Sequence, residues 1–263
     1  MNLELKGKVA LIAGASQGLG YAVALALAQE GAQVAICSRD AERINKAAQR
    51  IQQATQATVM AKAVDVTHPE KINQWITEVV KQWNTIHICI TNTSGPASMP
   101  FMETNDENWQ NAFNLTLMSA VRLSYAVIPF MQKQRWGRII HICSASVKNP
   151  ISNLIFSNSI RAAVVALGKT QANELAADGI LVNSVLPDWT KTERVKELLE
   201  AHAKHQKMTT EEVYMTREAA IPLQRIANPE EIADPVVFLA SERASFITGT
   251  TITIDGGETK VPF

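Results

Sequence analysis

Cysteine is scarce in this chain, and net charge is absent. Three cysteines occur among 263 residues, and 25 basic side chains balance 25 acidic ones. The odd number of cysteines, without paired spacing, argues against a disulfide framework and favours free thiols in a reducing cytoplasm. A chain without net charge has no general attraction to nucleic acid or anionic lipid, so neither is expected as a partner.

Long hydrophobic runs are missing as well. The longest uninterrupted apolar run, residues 22–28, is far too short to cross a bilayer, so no membrane association is expected. The first residues include the acid Glu4 and lead directly into an apolar segment, which is unlike a signal peptide. With 46% hydrophobic and 19% charged residues, the composition is typical of a globular protein, and we expect a cytoplasmic one.

Short apolar stretches alternate with longer helical patterns along the chain. Continuous rather than alternating apolar strands imply burial on both faces, and strand–helix alternation implies right-handed parallel crossovers. No linker or repeat interrupts the pattern, so residues 1–263 are predicted to form a single doubly wound α/β (Rossmann) domain with seven parallel strands. The predicted strands are 9–13, 34–38, 58–64, 86–91, 138–142, 181–186 and 250–254, and the helices are 19–30, 41–53, 70–83, 107–133, 157–177, 193–205 and 229–241.

One interval departs from this alternation. Residues 192–225 are polar and rich in Glu, Lys and His. Such a segment suits a mobile lid over a site better than a sheet-forming unit.

A glycine-rich turn joins the first predicted strand to the first helix. Gly14 permits the tight turn, Gly18 allows a pyrophosphate to approach the backbone, and Gly20 allows helix and strand to pack closely. The free N–H groups at the helix start then face the phosphates. The sequence therefore predicts a dinucleotide site at Gly14, Ser16, Gln17, Gly18, Leu19 and Gly20.

The end of the second predicted strand indicates which dinucleotide binds. An acidic residue there binds a ribose 2′-hydroxyl, whereas an arginine meets a 2′-phosphate. Ser38 and Arg39 occupy this place, and Asp40 is set to cap the following helix. We predict NADP as the cofactor with NAD as the alternative, and an ordinary solvated charge is the other interpretation of Arg39.

The spacing Gly-x-x-x-Gly-x-Gly resembles the short-chain dehydrogenase/reductase family, and further matches extend the resemblance over residues 6–257. Asp65-Val66 resembles the family's adenine-contacting pair, although Asp65 is equally a helix-start signal. The segment 183–192 resembles Asn-x-x-x-Pro-Gly-x-x-x-Thr, with Asp188 in place of the glycine. The resemblance implies further cofactor contacts at Asp65, Val66, Asn92, Pro187, Thr190 and Thr192.

The same resemblance points to the catalytic positions. In the family an asparagine, a serine, a tyrosine and a lysine form a proton relay. Asn114 matches the asparagine, although a satisfied amide within a helix explains it equally well. Ser144 matches the serine, and the positions of the tyrosine and lysine hold Ser157 and Arg161, one helical turn apart.

This alignment leaves the family's usual proton donor missing. Ser157 is a weaker acid than a phenol, and Arg161 can bond ribose hydroxyls but does not release a proton. Lys148 is one candidate substitute, with a solvated loop lysine as the plain alternative, and a water molecule held by Ser157 is another. The position cannot be realigned with any tyrosine of the chain, which are Tyr21, Tyr125 and Tyr214.

The resemblance is greatest to 3-oxoacyl-acyl-carrier-protein reductases. It implies an NADP-dependent oxidoreductase acting on a carbonyl/hydroxyl pair of a small molecule or acyl thioester, with a non-standard relay. Two alternatives stay open, a cofactor-binding regulator or partner subunit without turnover, and an epimerase or dehydratase reaction on the same fold.

Two further expectations concern partners and metals. Residues 162–168 are apolar around the whole helix, so one face needs cover beyond the sheet, and the family forms dimers within tetramers. We therefore expect a homodimer or homotetramer. His202 and His205 lie three residues apart without a third ligand at suitable spacing, so no metal site is expected.

Overall fold

The computed structural model describes residues 1–261, without the side chains of Ala201, His202 and His205. Its framework is one sheet of seven parallel strands in the order β3-β2-β1-β4-β5-β6-β7. The predicted doubly wound fold is confirmed, with strand ends that differ by one or two residues. The strands are β1 (Val9–Ile12), β2 (Gln33–Ser38), β3 (Val59–Ala63), β4 (Ile88–Thr91), β5 (Gly137–Ile142), β6 (Ile180–Pro187) and β7 (Thr251–Ile254).

Helices cover both faces of the sheet. The first six are α1 (Gly18–Gln29), α2 (Ala41–Thr55), α3 (Pro69–Trp83), α4 (Asp106–Phe113), α5 (Ser119–Gln134) and α6 (Ile155–Leu175). The remaining three are α7 (Glu193–Gln206), α8 (Thr210–Ala220) and α9 (Pro229–Ala240).

Alternate residues of each central strand pack into two separate hydrophobic cores, one on each face of the sheet. In β1, Ala10 and Ile12 join a core with α1 and α9, whereas Val9 and Leu11 join a core with α3 and α5. Because successive strand side chains point to opposite faces, an uninterrupted apolar strand supplies both cores. The sheet is thereby buried on both sides, and its carboxyl edge is left to form a crevice.

The predicted helix 107–133 is interrupted in the structure. Between α4 and α5 lies a π-helical turn, Asn114–Met118, whose wider winding leaves carbonyls without the usual helical partner. The Ser119 hydroxyl donates to the carbonyl oxygens of Leu115 and Thr116, at 2.6 and 3.2 Å. The whole stretch Asp106–Gln134 is long and apolar enough to span a membrane, but it packs on α3, β4 and β5 as a core helix does.

The interval 192–225 contains two helices rather than the single one predicted. The second, α8, begins with a capping box in which Thr209 and Glu212 bond reciprocally to each other's backbone N–H groups. Helices α7 and α8 enclose a small core of their own, formed by Leu199, Ala203, Val213, Ile221 and Ile226. The Thr-x-x-Glu pattern was the sequence signal for the helix that the prediction missed.

Candidate functional site

A cavity of about 400 Å³ opens at the carboxyl edge of the sheet. It is the crevice in which doubly wound folds bind ligands. Most of the predicted site residues line it together. These are Gly14, Ser16, Gln17, Gly18, Leu19, Ser38, Arg39, Asp65, Val66, Asn92, Ser144, Ser157, Arg161, Pro187, Thr190 and Thr192.

The glycine turn is shaped by backbone contacts that leave no space for side chains. Gly14 and Gly18 have φ angles of +60° and +59°, which L side chains rarely adopt. Gly20 does not line the cavity but lies behind the turn, where a Cβ would meet the Gly14 carbonyl oxygen at 2.3 Å. Asn92 closes the turn from β4, since its Nδ2 donates to the carbonyl oxygens of Ala13 and Gly14 at 3.3 and 3.1 Å.

The start of α1 is open to an anion. Gln17 at its N-cap makes no side-chain capping bond, and no acid lies in the first turn. Unpaired N–H groups and the helix dipole both favour a phosphate at this place. The turn thus fits the pyrophosphate of a dinucleotide.

Arg39, which directly follows β2, places a positive charge on the cavity wall. Asp40 caps α2 through Arg43 N at 2.9 Å and pairs with the Arg43 Nε atom at 3.3 Å. Asp40 is thereby engaged by Arg43, while Arg39 stays exposed on the cavity wall. A guanidinium placed beside the glycine turn can meet a ribose 2′-phosphate.

Asp65 follows β3 and lines the cavity. Burial acts to raise the pKa of its carboxyl, but hydrogen bonds from Thr67 N and Oγ1 outweigh it and hold the pKa below its ordinary value. The charge of Arg39 acts in the same direction as these bonds. Asp65 therefore lines the cavity and closes a short turn with Thr67, whereas the N-cap of α3 is His68.

Three serines meet at the end of β5. Ser144 accepts a hydrogen bond from Ser146 N at 3.1 Å, as the N-cap of a short 3₁₀ turn, Ala145–Val147. The Ser146 and Ser157 hydroxyl oxygens lie 3.3 Å apart. The structure thus brings Ser144 and Ser157 to one cavity wall, with Ser146, which the sequence analysis missed, buried behind them.

Arg161 lies beneath these serines. Its Nη1 donates to the carbonyl oxygens of Ile142 and Cys143 at 3.0 and 3.2 Å, and only 8% of the residue is exposed. Burial lowers the pKa of its guanidinium below the ordinary value, yet the residue reaches the cavity from one helical turn below Ser157. This position leaves the rest of the guanidinium to bond a ligand.

Asn114 is not brought into the main cavity. Its Oδ1 accepts a hydrogen bond from Arg122 Nη2 at 3.4 Å, and Arg122 also donates to the Thr67 carbonyl oxygen at 2.8 Å. These contacts match the interpretation as a satisfied helix amide, so a catalytic role for Asn114 stays a prediction. Its neighbour Leu115 lines the cavity instead.

A second, water-sized cavity of about 10 Å³ adjoins the first. Arg161 and Asn92 line it, and so does Thr116, whose buried hydroxyl has no hydrogen-bond partner. A polar space of this size is just large enough for one water molecule. The π-helical turn therefore places an unpaired hydroxyl beside Arg161.

Helix α7 forms part of the cavity wall through Glu193, Arg194, Val195 and Leu198. Thr192 caps the helix by accepting from Val195 N at 3.3 Å, and its Cγ2 lies 3.3 Å from where a Cβ on Gly18 would be. Arg194 Nη2 donates to the Pro96 carbonyl oxygen at 3.0 Å, which ties α7 to the loop after β4. The sequence analysis missed Arg194 because this tie depends on a distant loop.

Lys148 is half-buried at the end of the 3₁₀ turn and is not among the residues that line the cavity. Its catalytic role stays a prediction without a contact to support it. No cluster of metal-ligating side chains occurs within the described residues. The side chains of His202 and His205 lie outside them.

The chain is similar to known reductases over nearly its whole length. A family model described as Enoyl-(Acyl carrier protein) reductase matches residues 14–259. The 3-oxoacyl-[acyl-carrier-protein] reductase FabG of Vibrio cholerae is 34% identical over 259 residues, which cover 98% of each chain. An uncharacterized oxidoreductase, YvrD of Bacillus subtilis, is 32% identical with the same coverage of both.

A solved structure of a reductase is also similar to nearly the whole chain. The L-sorbose reductase of Gluconobacter frateurii, in complex with NADPH and L-sorbose, superposes with a TM-score of 0.94. It is 32% identical, and the match covers 99% of this chain and 100% of that one.

Proposed function

Since this chain belongs to the short-chain dehydrogenase/reductase family, we propose that it is an NADP-dependent oxidoreductase acting on a carbonyl/hydroxyl pair. The proposal rests on one arrangement, an open glycine turn flanked by Arg39 at one end of the cavity and by Ser144, Ser157 and Arg161 at the other. A dinucleotide spanning these ends has its phosphates at the turn and its nicotinamide near the serines.

The residues fit this cofactor chemically. The uncapped start of α1 and the glycines suit the pyrophosphate, and Arg39 suits the 2′-phosphate that distinguishes NADP from NAD. When bound, the nicotinamide supplies a hydride. The relatives also support this choice, because the sorbose reductase structure holds NADPH.

The catalytic end of the cavity departs from the family's relay. In our proposal Ser157 and Arg161 stand where the family has tyrosine and lysine, and none of the three tyrosines lines the cavity. Ser144 would hold the substrate oxygen, and Arg161, already fastened to β5, would bond the ribose hydroxyls. Proton donation then has to come from a group other than a phenol.

The substrate class follows the curated relatives. We assign as the substrate a carbonyl compound of the 3-oxoacyl thioester type or a small ketone. It enters beneath α7 and α8, which belong to a mobile lid formed by residues 192–225. The apolar, partly exposed face of α6 around Val165 and Leu167 supports a homodimer or homotetramer, which light scattering would test.

A matched pair of variants on α6 tests the proposed function. Ser157→Ala changes a buried cavity residue, whereas Ser159→Ala changes an exposed one on the same helix. With NADPH and a panel of ketones and 3-oxoacyl thioesters, we expect turnover by the parent and Ser159→Ala, and a loss of at least tenfold in Ser157→Ala. Equal rates in all three proteins would contradict the assigned site.

One observation favours a second candidate, a cofactor-binding subunit without turnover. The absence of tyrosine from the cavity removes the family's proton donor while the glycine turn remains open. Firm NADPH binding by calorimetry without consumption against the whole panel would favour it. Racemised or dehydrated products with cofactor retained would instead identify an epimerase or dehydratase.

A further inference from the structure

Asp188 lies in the cavity at the point where the sequence departs from the family's glycine. It follows Pro187 at the carboxyl end of β6 and lines the same cavity as Ser144 and Ser157. Its N–H donates to the Ile254 carbonyl oxygen at 3.1 Å, and its own carbonyl oxygen accepts from Thr190 Oγ1 at 2.9 Å. The backbone therefore fixes Asp188 at the carboxyl end of β6, on the wall of the cavity that Ser144 and Ser157 also line.

The carboxyl is one of a partly buried pair. Asp188 shares a hydrogen bond with Glu258, and Glu258 forms an ion pair with Arg217 of α8. The Arg217 guanidinium lies over the Trp189 ring, 4.5 Å from its centroid. The negative charge of Glu258 so close by disfavours ionisation of the Asp188 carboxyl.

These surroundings favour the neutral acid. Burial raises the pKa of Asp188 to about 7, and the charge of Glu258 acts in the same direction. Asp255 raises it further, whereas Arg217 opposes the shift. A carboxyl that titrates near neutrality is matched to proton transfer at physiological pH.

The other acidic side chains on the cavity wall are already engaged in hydrogen bonds or ion pairs. Asp40 caps α2, and Asp65 accepts two bonds from Thr67 that hold its pKa low. Glu193 lies 3.8 Å from Lys196 on α7. The cavity's guanidinium groups do not release protons.

Resting on the proposed function, we infer that the Asp188 carboxyl is the proton donor to the substrate oxygen in this cavity, with Glu258 as the neighbouring carboxylate that favours its protonated form. During reduction, hydride adds to the carbonyl carbon and the carbonyl π electrons move to oxygen. That oxygen forms an O–H bond with the Asp188 proton, and Asp188 keeps the electron pair as a carboxylate. Arg217 stabilises the resulting charge, and water from the open cavity restores the proton. Oxidation runs through the same steps in reverse.

The role predicts a specific pH dependence. The charged groups around the carboxyl are Glu258 and Asp255 on the C-terminal segment and Arg217 on α8. Because the donor must be protonated, kcat for reduction should fall as pH rises above about 7. That descending limb belongs to Asp188 and should disappear when Asp188 is replaced.

The test compares Asp188→Asn with the exposed Asp234→Asn of α9 in the intact protein. We expect Asp188→Asn to lower kcat at least 10²-fold and remove the limb above neutral pH, with calorimetric NADPH affinity within about threefold of the parent. Asp188→Glu should recover part of the rate. Infrared difference titration should show a protonated carboxyl near pH 6 that is missing from Asp188→Asn.

Several results would overturn the inference. They are an Asp188→Asn kcat within about threefold of the parent's, a loss of NADPH binding in that variant as large as its loss of kcat, or the absence of a protonated carboxyl from the infrared titration. A large loss of kcat in Lys148→Ala but not in Asp188→Asn would also overturn it. A parent that turns over while Asp188→Asn keeps pace contradicts this role alone. A parent that consumes no NADPH with any carbonyl contradicts the proposed function and this role with it.

Discussion

A Cβ atom on Gly20 would lie 2.3 Å from the carbonyl oxygen of Gly14. The same Cβ would lie 2.8 Å from Asn92 Nδ2, the group that closes the cofactor turn from β4. Neither neighbour can retreat without opening the turn, because one is backbone and the other is fixed by its bonds. The glycine therefore sets the shape on which phosphate binding depends.

Gly20→Ala should weaken NADPH binding at least tenfold and destabilise the fold by about 1–3 kcal/mol, since overpacking displaces the turn. Gly7→Ala is the comparison. Gly7 has a φ of +78° but nothing within 4 Å of its Cβ position, so it should cost about 1–2 kcal/mol of stability while leaving NADPH affinity unchanged. Calorimetry and thermal unfolding of both variants check this, and equal NADPH affinity in the two would contradict it.

Arg39→Asp should reverse the cofactor preference. The parent should bind NADPH more tightly than NADH by about 10–100-fold, through charge-assisted bonds to the 2′-phosphate worth about 1.5–3 kcal/mol. The variant loses these bonds and repels the phosphate. Lys46→Asp makes the same change of charge on α2 beside Glu42, outside the cavity, and should keep the parent order. Equal affinity of the parent for both cofactors would contradict the assignment.

The sequence predicted the seven strands and the glycine turn because their signals are local. Apolar strands buried on both faces and glycines at sterically closed positions are visible within a few residues. Asp188 was visible as a departure, but nothing in its neighbourhood revealed Glu258, which lies 70 residues away along the chain. The raised pKa of Asp188 depends in part on this contact between distant parts of the chain.

Two features of the structure were not predicted from the sequence, and the reason is the same for both. The π-helical turn at Asn114–Met118 does not change the apolar pattern of the helix that contains it, so the sequence showed one continuous helix. Arg194 carries no motif, and only its bond to Pro96 O reveals its place at the cavity. Side chains that act through distant loops cannot be assigned from spacing alone.

Ser157→Tyr alone should not restore a strong relay, whereas Ser157→Tyr with Arg161→Lys should raise turnover above the single variant. A phenol at this place needs a nearby ammonium that also holds the ribose, and a guanidinium is broader and more rigid. Arg161 is moreover fastened to the carbonyl oxygens of Ile142 and Cys143. Steady-state rates of the three proteins check the order, and a single variant as fast as the double would refute it.

Asp188→Asn should change how stability depends on pH. The folded-state pKa of Asp188, about 7, lies above the unfolded value near 3.9, so the folded state binds the extra proton between these pH values. The parent's free energy of unfolding therefore falls as pH rises from about 4 to about 7, and the variant escapes this loss. At pH 8 its Tm should exceed the parent's by at least about 2–4 °C, whereas the difference should vanish or reverse near pH 4. A pH-independent difference would contradict the raised pKa of Asp188.

The transfer of hydrogen from cofactor to product tests directly whether the protein is an NADP-dependent oxidoreductase. The protein is given NADPH with deuterium at both hydrogen positions of nicotinamide C4 together with a 3-oxoacyl thioester or ketone from the panel, and the product is analysed by mass spectrometry. We expect one hydroxy product, carrying one deuterium on its carbinol carbon, for each NADPH oxidised. A product without deuterium, or firm NADPH binding with no product from any carbonyl offered, would contradict the assignment as an NADP-dependent oxidoreductase.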